Sequence, residues 1–175
     1  DEECTDPYEK PDQEGDWYIL KNAGNVEWFS KQIASGELTL NAKLDCDIDS
    51  QRIENLHSPI GPTTGRKFNG TFDGQGHVIR NLELTGENKI GLFSYVTGGA
   101  YVKNFILDSS CSISGGSYVG TIGCTIGNGS VNIEGIGMEG TVTASSVNAG
   151  GILGCRLDNT AILMSDCYVT GKVIG

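Results

Sequence analysis

Three aspartates at alternate positions are the residues whose types and spacing most directly suggest chemistry. Asp45, Asp47 and Asp49 follow one another at i+2 spacing, and side chains two apart in a β-strand project from the same face. Carboxylate oxygens clustered in this way can bind a hard cation such as calcium. A solvated acidic strand face with Lys43 nearby explains the same pattern more simply. We therefore expect no cofactor, with calcium at these three aspartates as the alternative.

Asp73, His77 and Arg80 are the other residues whose types would suit catalysis. Some polysaccharide lyases and glycosidases are built as a stack of β-strand coils. They need clustered carboxylates, or a basic residue beside them, on the outer surface of that stack. Each residue has a simpler explanation, because Asp73 is typical of a turn and the other two fit outward strand positions. Residues 111–154 contain only two acidic residues and no lysine or arginine. We therefore predict no catalytic residues and no enzymatic activity.

The composition limits the class of protein and its partners. The net charge of -10, from 22 acidic and 12 basic residues, argues against nucleic acid or an anionic membrane as partner, since both need a cationic face. No apolar run approaches the ~20 residues of a membrane span, so membrane insertion is not expected. The 26 glycines among 175 residues are about twice the usual ~7%. Frequent tight turns, and hence an all-β protein, would account for them.

The chain divides into an acidic leader and one folded domain. Residues 1–16 hold eight Asp and Glu and almost no large apolar side chain, which predicts a flexible leader. Residues 17–175 are predicted to form a single domain. Within it we place a strand and a capping helix in 17–36, first rungs and a loop in 37–89, and repeats in 90–175.

Periodicity and turn signals predict the elements that would position these residues. A helix from 23 to about 33 follows the N-cap residue Asn22 and ends at Gly36, and its apolar face would cover the open end of a strand stack. In 37–48 apolar and polar residues alternate almost strictly, as in a half-buried strand. In 68–93 short apolar runs alternate with Gly- and Asn-containing turns, which predicts successive rungs of a parallel β-helix.

A repeat of 31 residues runs through the second half of the chain. Residues 120–124 return at 151–155, and an earlier relative at 91–93 lies 29 residues before 120–122. The same 31-residue shift relates apolar positions that would stack from coil to coil. These ladders are Val102–Ile133–Met164, Phe105–Ile136–Cys167, Leu107–Met138–Val169 and Cys111–Val142–Val173.

The six cysteines fit this register better than they fit a disulfide framework. Cys111 and Cys167 fall on core ladders, where a thiol behaves as a small apolar side chain. Cys124 and Cys155 occupy the same register one coil apart, and the ~4.8 Å between neighbouring strands is within the range of a disulfide. Stacked ladder side chains point the same way, which opposes the bond, so the disulfide state of this pair stays open.

The segment 90–175 resembles three copies of the GLUG-type repeat of bacterial surface or secreted proteins. That repeat has a glycine pair followed by two aliphatic residues and a further glycine. Residues 150–154 match this pattern, whereas the copies at 119–123 and 90–94 diverge from it. Residues 59–61 and 68–79 resemble the segment that precedes such repeats. The resemblance implies a right-handed, single-stranded parallel β-helix of the pectate-lyase-like type, export from a bacterial cell, and a stalk or adhesin-like role.

We therefore expect a non-enzymatic, extracellular or cell-surface module that binds a protein or glycan ligand. A passive stalk or spacer within a larger surface protein is the alternative, and a carbohydrate-active enzyme is the least favoured. Because no polar cap follows the ladder residue Val173, we also expect end-to-end self-association or further domains at that end. A glycan-binding face would need exposed aromatic residues. The candidates are Trp17, Tyr18, Trp28, Tyr95, Tyr101, Tyr118 and Tyr168.

Overall fold

The computed structural model describes residues 5–55 and 57–175. It is a parallel β-solenoid of about four turns with a single helix, α1 (Ala23–Ser35), near its start. The strands of the described residues are β1 (Asp12–Glu14), β2 (Trp17–Leu20), β3 (Asn41–Leu44), β4 (Ile48–Asp49), β5 (Thr71–Arg80), β6 (Glu83–Thr85), β7 (Asn88–Ile90), β8 (Phe93–Val96), β9 (Tyr101–Leu107), β10 (Ser112–Val119), β11 (Ile122–Thr125), β12 (Ser130–Met138), β13 (Thr141–Ala149), β14 (Leu153–Arg156), β15 (Ala161–Ser165), β16 (Tyr168–Val169) and β17 (Lys172–Ile174). The predicted all-β solenoid with an N-terminal helix is therefore confirmed.

Three sheets run along the solenoid, and the three coils from β5 to β14 contribute strands to all of them. The first sheet has the order β1-β2-β3-β5-β9-β12-β15, with β4 on β5 and β16 on β12. The second has the order β17-β13-β10-β6, with β7 on β10, and the third has the order β14-β11-β8. All pairs are parallel except β1 with β2. A chain that returns to the same sheet once per coil produces this pattern.

The helix begins and ends where its capping residues predict. The side chain of Asn22 accepts a hydrogen bond from Asn25 N at 2.8 Å, which satisfies a free N–H of the first turn. Gly36 ends the helix in the left-handed conformation, at φ +114°, which glycine adopts without steric cost. Val26, Phe29 and Ile33 are all buried. The helix thus packs this face against the first coils.

The predicted 31-residue register is confirmed in the first and third sheets. In the second sheet the step from Val142 to Val173 is confirmed, and only the step from Cys111 to Val142 is wrong, by two residues. Val102 pairs with Ile133, and Ile133 with Met164. In the second sheet, however, Ile113 rather than Cys111 pairs with Val142. The reason is a shorter corner, since residues 139–140 connect β12 to β13 where residues 108–111 connect β9 to β10. Cys111 is buried at that longer corner.

The acidic segment before β2 differs from the predicted flexible leader in the part that the structure describes. Strand β1 pairs with β2, with Gln13 opposite Tyr18. Asp6 Oδ2 accepts a hydrogen bond from Ala23 N, at the start of α1, at 3.1 Å. Both contacts are polar or backbone interactions, which an apolar pattern in the sequence does not reveal. Residues 1–4 lie outside the described residues.

The strand predicted over 37–48 is shorter than expected. A turn occupies residues 38–39 and a bend residues 45–46, so that only β3 and β4 are extended. The alternation itself persists, because Ala42, Leu44 and Ile48 are buried. Residues 50–67 form no strand in their described part and make only the isolated bridge between Ile60 and Phe93. The expected loop is thus confirmed.

Candidate binding surface

Asp47 is the predicted cation ligand with the most contacts. Its Oδ1 accepts a hydrogen bond from Val78 N at 2.9 Å and lies 3.3 Å from His77 Nδ1. Its Oδ2 lies 3.6 Å from Arg80 Nη1. The hydrogen bond from Val78, together with His77 and Arg80, lowers the pKa of Asp47. The carboxylate is therefore ionised and joins β4 to the adjacent strand β5.

The other two aspartates face different partners. Asp49 Oδ1 accepts hydrogen bonds from Asn81 Nδ2 at 3.0 Å and from Gln51 N at 3.3 Å, whereas Asp45 is exposed in the bend after β3. In the described residues no three His, Cys, Asp or Glu side chains are grouped so that they could hold a metal ion. Asp47 and Asp49 thus hold neighbouring segments of the chain together, Asp45 is exposed, and calcium binding at the three aspartates stays untested.

Of the residues considered for catalysis, His77 and Arg80 lie together and Asp73 lies apart. His77 and Arg80 contact Asp47, while Asp73 lies 3.9 Å from Lys103 Nζ. Asp73 Oδ1 also accepts a hydrogen bond from Gln75 N at 2.8 Å, the local contact of an aspartate that forms a turn. The three side chains are therefore not arranged as an acid–base pair around one site.

The outward-facing side of the first sheet is polar and carries an aromatic residue on each of two strands, β2 and β9. The strands β2, β3, β5, β9, β12 and β15 lie side by side. Residues at equivalent positions on these strands form one ladder of outward-facing side chains. Its members are Trp17, Asn41, Thr71, Tyr101, Asn132 and Leu163. From Trp17 to Tyr101 is three strand spacings, or about 14 Å. Amide and hydroxyl groups lie between these two aromatic residues.

A second outward ladder alternates in charge from strand to strand. It runs through Lys43, Asp73, Lys103 and Glu134, each next to the following one in the register. Opposite charges on neighbouring strands stabilise a sheet modestly. The alternation leaves the face with no net charge. We call the surface formed by these two ladders the outer face.

The aromatic residues of the outer face are held by cations of the second ladder. Lys43 Nζ lies 5.3 Å from the centre of the Trp17 ring, and Lys103 Nζ lies 4.6 Å from that of Tyr101. Tyr101 Oη donates a hydrogen bond to the carboxylate of Glu134, which raises the pKa of Tyr101. The phenol is thus protonated at neutral pH, and each of the two rings has a lysine beside it.

The outer face ends in a groove at the C-terminal coil. The groove has a volume of about 390 Å³ and is lined by Tyr101, Asn132 and Glu134 together with residues 162–165 of β15. Leu163 is 57% exposed. An apolar side chain, an aromatic ring and a carboxylate therefore line one shallow depression.

The remaining aromatic candidates lie elsewhere. Tyr18 packs against the core, with its ring centre 5.2 Å from that of Trp28. Tyr95 belongs to the third sheet and Tyr118 to the second. Tyr168 Oη donates to Glu139 at 2.7 Å. Of the seven candidates, only Trp17 and Tyr101 share the ladder defined above.

A buried polar cluster beneath α1 was not predicted from the sequence. Glu27 of α1 accepts hydrogen bonds from Ser58 Oγ at 2.6 Å and from Ser58 N at 3.0 Å, and its Oε2 lies 2.9 Å from His57 Nδ1. Burial raises the pKa of Glu27, but the hydrogen bonds from His57 and Ser58 outweigh it and hold the value at about 2. Glu27 and His57 are 30 residues apart on a helix and an irregular loop. No local motif connects them.

The comparison with curated proteins found one similarity, which covers part of the chain. The chain is similar to a protein named halomucin from Haloquadratum walsbyi (strain DSM 16790 / HBSQ001), with 32% identity over 98 residues, or 55% of this chain. The aligned part spans 1% of halomucin's length. No family model matches the chain, and no solved structure matches it. Across residues 5–55 and 57–175, no helix has both the length and the hydrophobicity of a membrane span.

Proposed function

We propose that this chain is an adhesin-like binding module of a cell-surface protein and that the outer face is its contact surface. The observation that carries the proposal is the pair of half-buried rings, Trp17 and Tyr101, fixed on one ladder with Asn41 and Thr71 between them. Aromatic rings supply contact area, and amides and hydroxyls supply hydrogen bonds. A surface of this kind suits an extended ligand lying across the strands.

The location of the module at a cell surface rests on sequence similarity. The partial match to halomucin, whose name is that of a mucin, is consistent with a surface module. The resemblance of 90–175 to GLUG-type repeats supports the same habitat and an exported protein. The absence of a membrane-spanning helix in the described residues is consistent with a module that is not inserted in the membrane.

A glycan fits the outer face better than a protein ligand does. The charges of Lys43, Asp73, Lys103 and Glu134 alternate, so the face offers no extended patch of one sign to a charged partner. The neutral polar side chains of Asn41 and Thr71 lie between the two rings, and the charged side chains of the second ladder lie beside them. Sugar hydroxyl groups can form hydrogen bonds to both kinds of side chain. Protein ligands are the alternative within the same proposal.

An array of glycans and extracellular-matrix proteins, probed with and without calcium, tests the proposal. We expect selective binding to glycans, lowered about tenfold by Trp17→Ala and by Tyr101→Ala. The matched control is Tyr118→Ala. The Tyr118 ring also has a lysine beside it, with Lys89 Nζ 5.1 Å from the ring centre, but it lies in the second sheet. Equal losses in all three variants would exclude the outer face as the contact surface.

The calcium arm of the same array tests the cation prediction. Binding that needs calcium and is lost in Asp45→Asn and in Asp49→Asn would support a cation site at the predicted aspartates. Binding that is unchanged by a chelator would remove calcium from the proposal.

A passive spacer is the second candidate, and the last coil favours it. Strands β15 and β17 expose ladder residues that are buried in the preceding coil, such as Val173, which is 44% exposed. A further coil or a second copy placed on this end would continue the stack and give a rigid rod. A folded sample that binds nothing on the array but associates end to end in sedimentation velocity would place the spacer ahead.

A further inference from the structure

The sequence Asn-x-Ser/Thr occurs twice in the chain, each time at the corner where a coil enters the first sheet. The first copy is Asn69-Gly70-Thr71, before β5, and the second is Asn128-Gly129-Ser130, before β12. In exported proteins this sequence is the acceptor of an N-linked glycan. A glycan is bulky and polar, so an acceptor asparagine must project into solvent in the folded protein. The structure decides which copy meets that condition.

The corner that carries both copies becomes longer along the solenoid. It is bounded on each side by residues that pair with the neighbouring coil. Between these paired residues lie 69–70 at the first copy, 97–100 in the next coil and 126–131 at the second copy. Because strand pairing fixes both ends of the corner, the added residues have to project outward. The second copy therefore stands out from the solenoid, whereas the first does not.

The short corner packs Asn69 between two coils. Asn69 N donates a hydrogen bond to Leu38 O at 2.8 Å. On the other side its Oδ1 lies against Gly99 of the next coil, where an added β carbon would be only 2.7 Å away. Asn69 is half-buried, and Gly70 is buried. A sugar on this side chain would have to displace a neighbouring coil.

The long corner presents Asn128 to solvent. Asn128 is exposed and lies between Gly127, at φ +99°, and Gly129, at φ +88°. Glycine adopts these backbone conformations without steric cost, and neither neighbour has a side chain that could cover the asparagine. The carbonyl oxygen of Asn128 lies against Gly98 of the preceding coil. The backbone is therefore held in place while the side chain is accessible.

Ser130 supplies the hydroxyl of the second copy. It is the first residue of β12, and the next residue, Val131, is fully buried. Because successive side chains of a strand face opposite sides, Ser130 faces outward. The amide and the hydroxyl of this copy are thus both on the outside of the solenoid.

We propose that Asn128 is the acceptor of an N-linked glycan. Nδ2 of Asn128 forms a bond to the anomeric carbon of a lipid-linked oligosaccharide. The bond from that carbon to the lipid phosphate breaks, the lipid phosphate leaves, and Nδ2 loses one proton to a base of the transferring enzyme. The proposal rests on the cell-surface location proposed above, but not on the outer face as a contact surface. It implies that this corner faces solvent in the assembled surface protein.

Two experiments on the full chain test the acceptor. The chain is secreted from a eukaryotic cell line, and its peptides are analysed by mass spectrometry before and after enzymatic release of N-linked glycans. We expect a glycan on the peptide that contains Asn128. In the second experiment, folded and unglycosylated chain is incubated with an oligosaccharyltransferase and a lipid-linked oligosaccharide. We expect transfer to Asn128 and none to Asn69, because the fold then decides which asparagine the enzyme reaches.

Three variants separate the acceptor from its surroundings. Asn128→Gln and Ser130→Ala should each lose the glycan, whereas Ser130→Thr should keep it, since either hydroxyl completes the sequence. Asn69→Gln is the matched control, because it removes the other copy and should leave the glycan at Asn128. Asn128 is exposed, so the melting temperature of Asn128→Gln should be close to that of the unglycosylated wild type.

The outcomes that overturn the proposal are specific. Secreted, folded wild-type chain without a glycan at Asn128 would show that this asparagine is not an acceptor. A glycan that remains in Ser130→Ala would mean that it is attached in some other way. Transfer to Asn69 as readily as to Asn128 in folded chain would remove the corner as the reason for the choice. None of these measurements depends on ligand binding, so failure of the outer-face proposal and failure of this one are distinguishable.

Discussion

The first coils and the last coil use the same ladders but differ in what covers them. Near α1, five phenylalanines stack through the core: Phe29, Phe68, Phe72, Phe93 and Phe105. All five are buried. In the last coil the inward ladder residues are exposed, and Met164, Val169 and Val173 range from 42% to 44%. The side chains are equally apolar at both ends.

This difference shows that the burial of a residue in a solenoid depends on the elements that pack on its coil, and not on the coil's own sequence alone. A rung is covered only when another element lies on each side of it. At the first coils the helix provides that cover, because Phe29 packs its ring 6.1 Å from Phe68. At β15 to β17 no described element provides it. The two ends should therefore respond differently to the same kind of substitution.

The largest expected effect is in the aromatic stack. Phe72→Ala removes a fully buried ring whose centre lies 5.2 Å from Phe93 and 5.7 Å from Phe105, and it should lower the free energy of unfolding by about 3–5 kcal/mol. Tyr168→Ala, at a 40% exposed ring of the last coil, should cost less than about 1 kcal/mol. Urea unfolding followed by circular dichroism measures both. Similar losses would contradict the contrast between the two ends.

The next effect concerns the disulfide between Cys124 and Cys155, which joins β11 to β14. Their Cα atoms are 4.6 Å apart and 31 residues separate them. Closing a loop of that length stabilises by about 3.5 kcal/mol in the chain-entropy account. In the double variant Cys124→Ser/Cys155→Ser we expect hydrogen exchange to quicken in β12–β17 and to change little in β2–β5. Mass spectrometry should find these two cysteines alkylated only after reduction.

A uniform increase in exchange along the whole solenoid would contradict this expectation. It would mean that the bond constrains the unfolded chain without holding the last coils in particular. Alkylation of both cysteines before reduction would show that they are free thiols in solution.

Much of the fold could be predicted because it follows local rules. Asn22 and Gly36 mark the ends of α1 by capping chemistry, and ladder residues such as Val102 and Ile133 reveal their register by a repeated spacing. These signals lie within a few residues of each other or recur at one interval. The disulfide was not predicted, because a sequence gives the spacing of Cys124 and Cys155 but not the directions of their side chains.

The features that escaped prediction depend on contacts without a periodic signal. The two-residue difference between corners moved the ladder of Val142 from Cys111 to Ile113, and a constant repeat does not reveal a change in corner length. The buried polar cluster depends on Glu27 and His57, which are brought together only by the packing of α1 on a loop. The outer face was foreseeable only as a set of aromatic candidates.

Acid should weaken the helix-covered end first. The folded-state pKa of Glu27 is about 2, below its ordinary value of 4.5, so its stabilisation is present above pH 4.5 and is lost as the pH falls towards 2. The loss should reach about 2–3 kcal/mol. Unfolding measured from pH 6 to pH 2 should show this slope in the wild type and a smaller one in Glu27→Gln. An unchanged slope in the variant would remove Glu27 as its source.

The smallest and most direct comparison uses the same residue at the same ladder position. Val142 in β13 pairs with Val173 in β17, yet Val142 is fully buried and Val173 is 44% exposed. Val142→Ala should cost about 1.5–2.5 kcal/mol, since it removes two buried methyl groups, and Val173→Ala less than about 0.5 kcal/mol. Urea unfolding at low protein concentration gives both values.

Repeating the valine pair at high protein concentration sharpens the comparison. If a second copy covers the last coil, Val173 becomes buried and the cost of Val173→Ala should rise towards that of Val142→Ala, because mass action links association to stability. A cost that is small at every concentration would mean that copies of this chain leave the last coil open. Val173 would then be buried only when an element other than a second copy packs on the last coil.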